Sequence, residues 1–291
     1  MMVRRFGLIG HGVVGSLFAR LLRAHDAEVL SFDVLLDDLG KSEATREKIE
    51  ADGAVPATFD EVVRRSEYVV AVTPTQACKD AARRATVLLE SGQVYCDFAS
   101  TSPAVKRELA AMIAASGASF VEGAILGAVG ASLTCPAILL GGEAAGSAAE
   151  VLNHHGLRTT AYSAEVGPAS AFKMIRSVFS KGMETLLIET LVSARRAGLL
   201  DEIWKEICST LAPDRMEKVL QTWIRSHAIS SGRRYCEMQE VARYLNELNV
   251  PPVITSAAAE VFHRSNTLGI SEAFGTEPER YTEVIEFLAK K

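Results

Sequence analysis

The sequence predicts an α/β domain, built on a doubly wound parallel sheet, that is followed by an all-α domain. Over the first half of the chain, short apolar runs alternate with segments of helical periodicity, a pattern typical of a parallel sheet with helices on both faces. The pattern changes after Gly167, where apolar residues recur at helical spacing over residues 169–196. We therefore expect two domains, residues 1–164 and 165–291, joined by one long interdomain helix.

Seven apolar runs are the candidate strands of the sheet. They are residues 6–9, 29–32, 68–72, 94–98, 119–122, 137–140 and 160–163. Two of the helices between them begin with recognisable signals. Thr58 is followed three residues later by Glu61, which is the spacing of a capping box. Ser102 precedes Pro103, which is typical of an N-cap with proline in the first turn.

The first apolar run ends in a glycine-rich turn, Gly10-His11-Gly12-Val13-Val14-Gly15, and a helical pattern follows at once. This order of strand, glycines and helix is what a dinucleotide pyrophosphate requires. The first glycine allows a tight turn, the second lets the backbone approach the phosphates, and the third lets the helix pack closely on the strand. The free N–H groups and positive dipole end of the helix then face the anion. We expect all six residues to contact the cofactor.

An acidic residue stands where a dinucleotide site needs one. Asp33 ends the second apolar run, 23 positions after Gly10, and a carboxylate there accepts hydrogen bonds from the adenosine ribose hydroxyls. It would repel a 2′-phosphate, and between Asp33 and Lys41 no arginine or lysine offers a compensating charge. The sequence therefore favours NAD as the cofactor, with NADP as the alternative.

In doubly wound sheets the ligand lies beyond the carboxyl ends of the strands, so the residues that follow each strand are candidates for its site. Thr73 and Pro74 follow one strand and would run along the cofactor toward the nicotinamide, although a plain strand-to-helix loop explains them equally well. Ser100 follows the next strand and carries a hydroxyl that can bind a substrate. Gly123 and Ala124 belong to a small-residue loop that permits close approach to a ligand.

Lys173 lies in the first turns of the long helix, one position after Phe172. A helix N-terminus is electrostatically unfavourable for a surface lysine. Burial near a cofactor would lower the pKa of this amine toward the range that general acid–base catalysis uses. The alternative is a solvated lysine without a catalytic role.

Together these segments resemble the β-hydroxyacid dehydrogenases, which include 3-hydroxyisobutyrate and 6-phosphogluconate dehydrogenases. The resemblance covers more than half of the chain, and the matching segments are residues 7–15, 97–103, 122–128 with Gly141-Gly142, and 167–173. It implies a Rossmann domain, hydride transfer to or from NAD(P), and Lys173 as the group that protonates or deprotonates the substrate hydroxyl. Residues 190–291 resemble a poorly characterised helical domain through residues 233–241.

The chain departs from the family pattern where the substrate binds. Ala99 replaces a serine, Leu126-Gly127-Ala128 replaces a Ser-Gly-Gly segment, and Arg176-Ser177 replaces two asparagines that follow the lysine. We expect Arg176 and Ser177 to contact the substrate, with Arg176 binding an anionic group through a bidentate contact.

In the alternative arrangement Arg176 turns outward and pairs with a surface carboxylate such as Glu184 or Glu165.

The leading hypothesis is an NAD(P)-dependent oxidoreductase that acts on the CH–OH group of a small, anionic hydroxy acid or a related alcohol. An imine reductase of the same architecture is an alternative, and Lys173 weighs against it because those enzymes tend to replace the lysine. A non-catalytic NAD-binding regulator is the third hypothesis.

Composition limits the remaining classes. A net charge of −5 gives no reason to expect a nucleic-acid partner. Five cysteines are scattered singly, which indicates neither a disulfide framework nor a metal site and is typical of buried, reduced thiols in a cytosolic protein. No apolar run approaches the ~20 residues of a membrane span. We expect a cytoplasmic protein, and a homodimer because the helical half carries more apolar faces than a small domain can bury.

Overall fold

The computed structural model describes residues 4–127 and 135–291. The chain forms two compact units, Met1–Ser177 and Val178–Lys291, and it passes from the first to the second inside the long helix. The domain division after residue 164 stays a prediction.

The first unit is built on an eight-stranded sheet of order β3–β2–β1–β4–β5–β6–β7–β8, in which every neighbouring pair is parallel except β6–β7. The strands are β1 Arg5–Ile9, β2 Glu28–Phe32, β3 Val55–Pro56, β4 Tyr68–Ala71, β5 Val94–Asp97, β6 Ser119–Leu126, β7 Ala137–Gly141 and β8 Arg158–Ser163. The doubly wound sheet is therefore confirmed.

Two features of the sheet differ from the prediction. The strand β3 was not predicted, because two residues are too short to show any alternation of apolar and polar positions. The strand β6 continues past Glu122 to Leu126, so the prediction that Gly123 and Ala124 lie in a loop is wrong. These small residues are buried and pair with Leu140 and Leu139 of β7, and this pairing extends the strand.

Helices cover both faces of the sheet. Those of the first unit are α1 Val13–Ala24, α2 Ser42–Ala51, α3 Phe59–Arg65, α4 Cys78–Thr86, α5 Pro103–Ala114, α6 Ala145–His154 and the start of α7 Pro168–Ala197. Both predicted helix starts are confirmed: Thr58 and Glu61 form a capping box at α3, and Ser102 caps α5 with Pro103 in its first turn.

The hydrophobic core lies on both faces because successive side chains of a strand point in opposite directions. In β1, Phe6 and Leu8 join one buried cluster and Ile9 joins the other. Gly7 lies between Phe6 and Leu8 in the strand, and a Cβ at this position would lie 2.5 Å from the hydroxyl oxygen of Ser66. The absence of a side chain at Gly7 therefore lets α3 pack directly on the backbone of β1.

The second unit is helical, as predicted. It contains the rest of α7, then α8 Leu200–Thr210, α9 Met216–Glu247, α10 Val253–Thr267, α11 Ile270–Phe274 and α12 Tyr281–Ala289. Ala228, Ile270 and Val284 form its buried cluster. Across the described parts of the chain, no helix combines the length and the apolar character needed to cross a membrane.

The five cysteines are all free thiols. Cys78, Cys96 and Cys135 are buried as expected, but Cys208 and Cys236 are exposed, so that part of the prediction is wrong. An isolated cysteine carries no periodic signal, and the face of the helix on which it lies cannot be inferred from its own identity. Within residues 4–127 and 135–291, no cluster of histidine, cysteine or acidic side chains could hold a metal ion.

A fully buried ion pair lies inside the first unit. The Lys106 ammonium of α5 donates a hydrogen bond to the side-chain oxygen Oδ1 of Asp97 and another, of 2.7 Å, to the backbone carbonyl of Asp97 at the end of β5. Burial raises the pKa of the Asp97 carboxyl, and the charge of Lys106 offsets this only in part.

We predict that Lys106→Met destabilises the first unit by about 3–5 kcal/mol, because removing one partner leaves a buried carboxylate without its cation. The double variant Asp97→Asn/Lys106→Met should recover much of this loss. Urea unfolding followed by far-UV circular dichroism measures it, while Trp204 and Trp223 fluorescence reports on the helical unit. Equal stability of Lys106→Met and the wild type would contradict the prediction.

Candidate functional site

The glycine-rich turn lies at the carboxyl end of β1, where the strand order reverses between β1 and β4, and this reversal marks the ligand crevice of an open α/β sheet. Gly10 has φ +102° and donates a hydrogen bond of 2.7 Å to the carbonyl of Phe32. A Cβ on Gly15 would lie 2.3 Å from the carbonyl oxygen of Gly10, whereas a Cβ on Gly12 would meet nothing within 4 Å. The turn is therefore closely packed on its inner side and open at Gly12.

The first turn of α1 offers hydrogen-bond donors beside this opening. Val13 and Val14 are among the first helical residues, whose N–H groups have no acceptor within the helix. Open space at Gly12, free N–H groups and the positive end of a helix dipole together fit a pyrophosphate. The described residues of the turn thus suit the group that the sequence pattern predicts.

His11, one of the six residues of the turn expected to contact the cofactor, has several partners within the protein. Its ring is buried, with Nδ1 2.8 Å from the Ser31 hydroxyl and Nε2 3.0 Å from a carboxylate oxygen of Asp52. Its backbone N–H donates to Asp33 over 2.7 Å, and its carbonyl accepts from the Lys48 ammonium over 2.9 Å. Desolvation lowers the pKa of the His11 ring, although Asp52 acts in the opposite direction.

Asp33 lies directly after β2, at the edge of the sheet that carries the glycine turn. One of its oxygens accepts from the N–H of Leu35 over 3.0 Å, and the other accepts from the N–H of His11. Two backbone bonds thus orient the carboxylate, and its remaining lone pairs stay available to hydroxyl donors. The sequence did not indicate that the Lys48 ammonium would lie at the same turn.

Lys173 and Ser100 are brought together, although 73 positions separate them in the sequence. The amine donates a hydrogen bond of 2.5 Å to the Ser100 hydroxyl. Burial, assisted by the charge of Lys106, lowers the pKa of the Lys173 amine from its ordinary 10.5. Ser100 is exposed and Lys173 is half-buried, so the pair is accessible to a small molecule.

A buried carboxylate that the sequence analysis did not single out holds the start of α7. Both oxygens of Glu122, in β6, accept hydrogen bonds from this helix start, at Gly167, Ala169 and Ser170. The sequence contains one signal that indicates such a residue. A single acid within an otherwise apolar strand is buried only where it has partners.

The remaining predicted site residues differ in their exposure and in their hydrogen-bond partners. The hydroxyl oxygen of Thr73 is buried and has no hydrogen-bond partner among the described residues, and Pro74 after it is exposed. The Ser177 hydroxyl donates to the carbonyl of Lys173 over 2.8 Å. Gly123 packs directly on Phe98, since a Cβ would lie 2.3 Å from that ring.

Arg176 is exposed, and no described carboxylate forms an ion pair with it. The carboxylate of Glu184, one of the two expected partners, instead pairs with Lys181 at 3.3 Å. Ala128, the last residue of the expected substrate loop, lies outside the described residues. The roles of all these side chains stay predictions.

A family model matches the part of the chain that forms the sheet. The model of the NAD binding domain of 6-phosphogluconate dehydrogenase matches residues 5–163, and a domain of unknown function matches residues 194–265. The first match covers more than half of the chain. The fold and this match define an NAD(P)-binding domain of the dehydrogenase class.

Individual relatives are similar over most of the chain or over its first part. A conserved protein of unknown function, whose structure is described as similar to 3-hydroxyacid dehydrogenases, is 30% identical, with 90% of this chain and 97% of that chain covered and a TM-score of 0.60. Mitochondrial 3-hydroxyisobutyrate dehydrogenase of Bos taurus is 25% identical over 179 residues, which are 59% of this chain and 51% of that protein.

An imine reductase from Myxococcus stipitatus in complex with NADP⁺ has the same fold, with a TM-score of 0.72, 21% identity, and 98% and 99% of the two chains covered. Its V8 variant has been solved with NAD⁺. The chain belongs to the β-hydroxyacid dehydrogenase family, with an NAD-binding domain of the 6-phosphogluconate dehydrogenase type and a helical C-terminal region that matches a domain of unknown function.

Two glycines of the turn should respond differently to the same substitution. Gly12→Ala should fold normally, because its methyl group meets open space, and should weaken NAD(P) binding by about tenfold or more, roughly 1.4 kcal/mol. Gly15→Ala should lower the free energy of unfolding, because its methyl group collides with the Gly10 carbonyl. Thermal unfolding without cofactor and calorimetric titration with NAD⁺ and NADP⁺ measure the two effects. A Gly12→Ala variant with wild-type affinity would contradict the proposed position of the pyrophosphate.

Proposed function

We propose that this protein is an NAD(P)-dependent dehydrogenase or reductase that transfers hydride between nicotinamide and the CH–OH group of a small hydroxy acid or related alcohol. Lys173 is the general acid and base of this reaction. The observation that carries the proposal is the contact of 2.5 Å between the Lys173 amine and the Ser100 hydroxyl, which follows β5 at the edge of the sheet where open α/β sheets bind their ligands.

The nicotinamide, when bound, accepts or supplies the hydride. An alcohol is a poor hydride donor until its proton is removed, so the protein must hold and move that proton. The neutral Lys173 amine takes the proton in the oxidation direction, and its ammonium form returns the proton in the reduction direction. Burial and the nearby charge of Lys106 lower the pKa of Lys173, which increases the neutral fraction at physiological pH.

We assign the cofactor contacts by position. The turn Gly10–Gly15 faces the pyrophosphate, Asp33 faces the adenosine ribose, and Thr73 with Pro74 lies on the nicotinamide side. The oriented carboxylate of Asp33 supports a preference for NAD over NADP. The buried Thr73 hydroxyl that lacks a described partner supports a polar ligand beside it.

Substrate contacts follow from the neighbourhood of Lys173. Ser100 accepts a hydrogen bond from the amine and keeps its own proton to donate to the substrate oxygen. Gly123, Ala124 and Ser177 are the further substrate-binding residues we propose. Arg176 supplies an exposed guanidinium without a described carboxylate partner, which supports an anionic group on the substrate.

Reduction of a C=N bond is the second candidate, because solved imine reductases have this fold. Side-by-side assays with hydroxy acids and cyclic imines, following nicotinamide absorbance, separate the two. A cofactor-binding regulator without turnover is the third candidate.

The homodimer, the absence of a nucleic-acid partner and the cytoplasmic location stay predictions.

Asp33 should set cofactor preference. The wild type should bind NAD⁺ more tightly than NADP⁺, and Asp33→Asn should narrow the difference, because the repulsion between the carboxylate and a 2′-phosphate is lost. Calorimetric dissociation constants for both cofactors measure the ratio, and Asp37→Asn, on the short helix after β2, is the control. A wild type that prefers NADP⁺ would refute the assignment, and the Lys48 ammonium at the same turn would then be the residue to examine.

Lys173→Met should lower kcat by about 10²–10⁴-fold and leave the dissociation constant of NAD⁺ nearly unchanged. In the wild type the oxidation rate should rise with pH until Lys173 is neutral, with a midpoint below the ordinary 10.5, and the reduction rate should fall over the same range. Steady-state rates measured against pH in both directions test this. Lys181→Met, at an exposed lysine of the same helix, should retain full activity. Turnover that survives in Lys173→Met would refute the mechanism.

A further inference from the structure

We propose that Glu122 is a positioning residue, whose carboxylate fixes the start of α7 and thereby holds the Lys173 amine at Ser100. This inference rests on the function proposed above for Lys173. Glu122 itself does not touch the amine. It acts through the helix that carries Lys173.

Three hydrogen bonds connect Glu122 to the beginning of the helix. Oε1 accepts from the N–H of Gly167 over 2.6 Å and from the N–H of Ala169 over 3.1 Å. Oε2 accepts from the Ser170 hydroxyl over 2.5 Å. Glu122 has no exposed surface. Within residues 4–127 and 135–291 it forms no ion pair, so its main partners are helix N–H groups and their dipole.

The surrounding backbone is shaped to admit this carboxylate. Gly141 of β7 is the ladder partner of Glu122, and a Cβ at Gly141 would lie 2.5 Å from Oε1. Gly167 has φ +123°, a conformation that residues with side chains rarely adopt, and it points its N–H at the same oxygen. Two glycines on different elements therefore make room for one acid.

The position of Lys173 follows from that of the helix start. Ser170 and Lys173 are three residues apart, so they lie on neighbouring turns of one helix face. Ser100 follows Asp97, and Asp97 is the register partner of Glu122 in the adjacent strand. The position of Ser100 thus depends on β5, and the position of Lys173 depends, through Glu122, on the neighbouring strand β6. A shift of α7 by one residue, about 1.5 Å along its axis, would break a contact of 2.5 Å.

The test measures the protonation of Lys173 without any substrate. The full-length protein is acetylated with trace acetic anhydride at a series of pH values, and mass spectrometry gives the labelling midpoint of each lysine. In the wild type the midpoint of Lys173 should lie below the ordinary 10.5 of a lysine. In Glu122→Ala it should rise toward that value, and the neutral fraction at a given pH should fall, because the freed amine returns to water.

Two further variants separate positioning from general stability. Glu122→Gln keeps Oε1 as an acceptor for both N–H groups and should restore most of the wild-type midpoint. Glu189 is the matched control, because it accepts similar bonds of 2.8, 2.9 and 2.6 Å from the start of α10, at Ile254 and Thr255. Glu189→Ala should destabilise the protein and leave the Lys173 midpoint unchanged.

The outcomes are distinguishable. A folded Glu122→Ala variant with the wild-type midpoint overturns the role of Glu122 and leaves the function of Lys173 intact. An ordinary midpoint in the wild type overturns the function proposed for Lys173, and the inference with it. If Glu122→Ala does not fold, Ser170→Ala decides, because it removes only the bond to Oε2: a raised midpoint supports the inference, and an unchanged one overturns it.

Discussion

The structure of the site depends on the close contact between Gly15 and the carbonyl of Gly10. Only a hydrogen atom fits between them, since a Cβ on Gly15 would lie 2.3 Å from that oxygen. This contact brings the first turn of α1 against the carboxyl end of β1. Because β2, β4 and β5 run parallel to β1, their carboxyl ends lie at the same edge. Asp33, Thr73 and Ser100 follow those strands and therefore come to one side of the sheet.

Three buried carboxylates then fix the elements around this edge, each with different partners. Asp52 at the end of α2 accepts from Ser16, His11 and Arg20, and burial raises its pKa less than these partners lower it. Asp97 pairs with one buried lysine. Glu122 accepts from the first residues of α7. An unpartnered buried charge would cost several kcal/mol, so each acid constrains the position of its partners.

Much of the fold could be predicted because its signals are local. Apolar runs located seven strands, and the glycine spacing located the turn, since both depend on neighbouring residues alone. The contacts of His11 and Glu122 could not be predicted, because their partners are twenty or more positions away. A pattern of side chains along one segment does not say which distant segment packs against it. The end of β6 was missed for the same reason, since pairing with β7 decides it.

The site residues show the same division. Asp33 and Ser100 could be singled out as candidates because they follow strands, a position that topology makes informative. Lys48 was missed because α2 brings it back to the turn from 37 positions away. The predicted preference for NAD considered cations along the sequence only as far as Lys41. In the folded chain a further cation, the Lys48 ammonium, binds the carbonyl of His11, and the N–H of His11 donates to Asp33. Local spacing is therefore a weaker guide to charge than to backbone geometry.

The buried ion pair connects the stability of the sheet with the acidity of the proposed catalytic amine. Lys106 stabilises Asp97 at the end of β5, and its positive charge also contributes to the lowered pKa of Lys173. The negative charge of Asp97 offsets part of that positive charge. Of the two carboxylate oxygens of Asp97, Oδ1 accepts a hydrogen bond from Lys106 and Oδ2 has no partner among the described residues. A lysine at this position thus has two effects that a neutral residue of similar size could not combine. It pairs with an acid that would otherwise be costly to bury, and it disfavours the second positive charge at Lys173, as a general base requires.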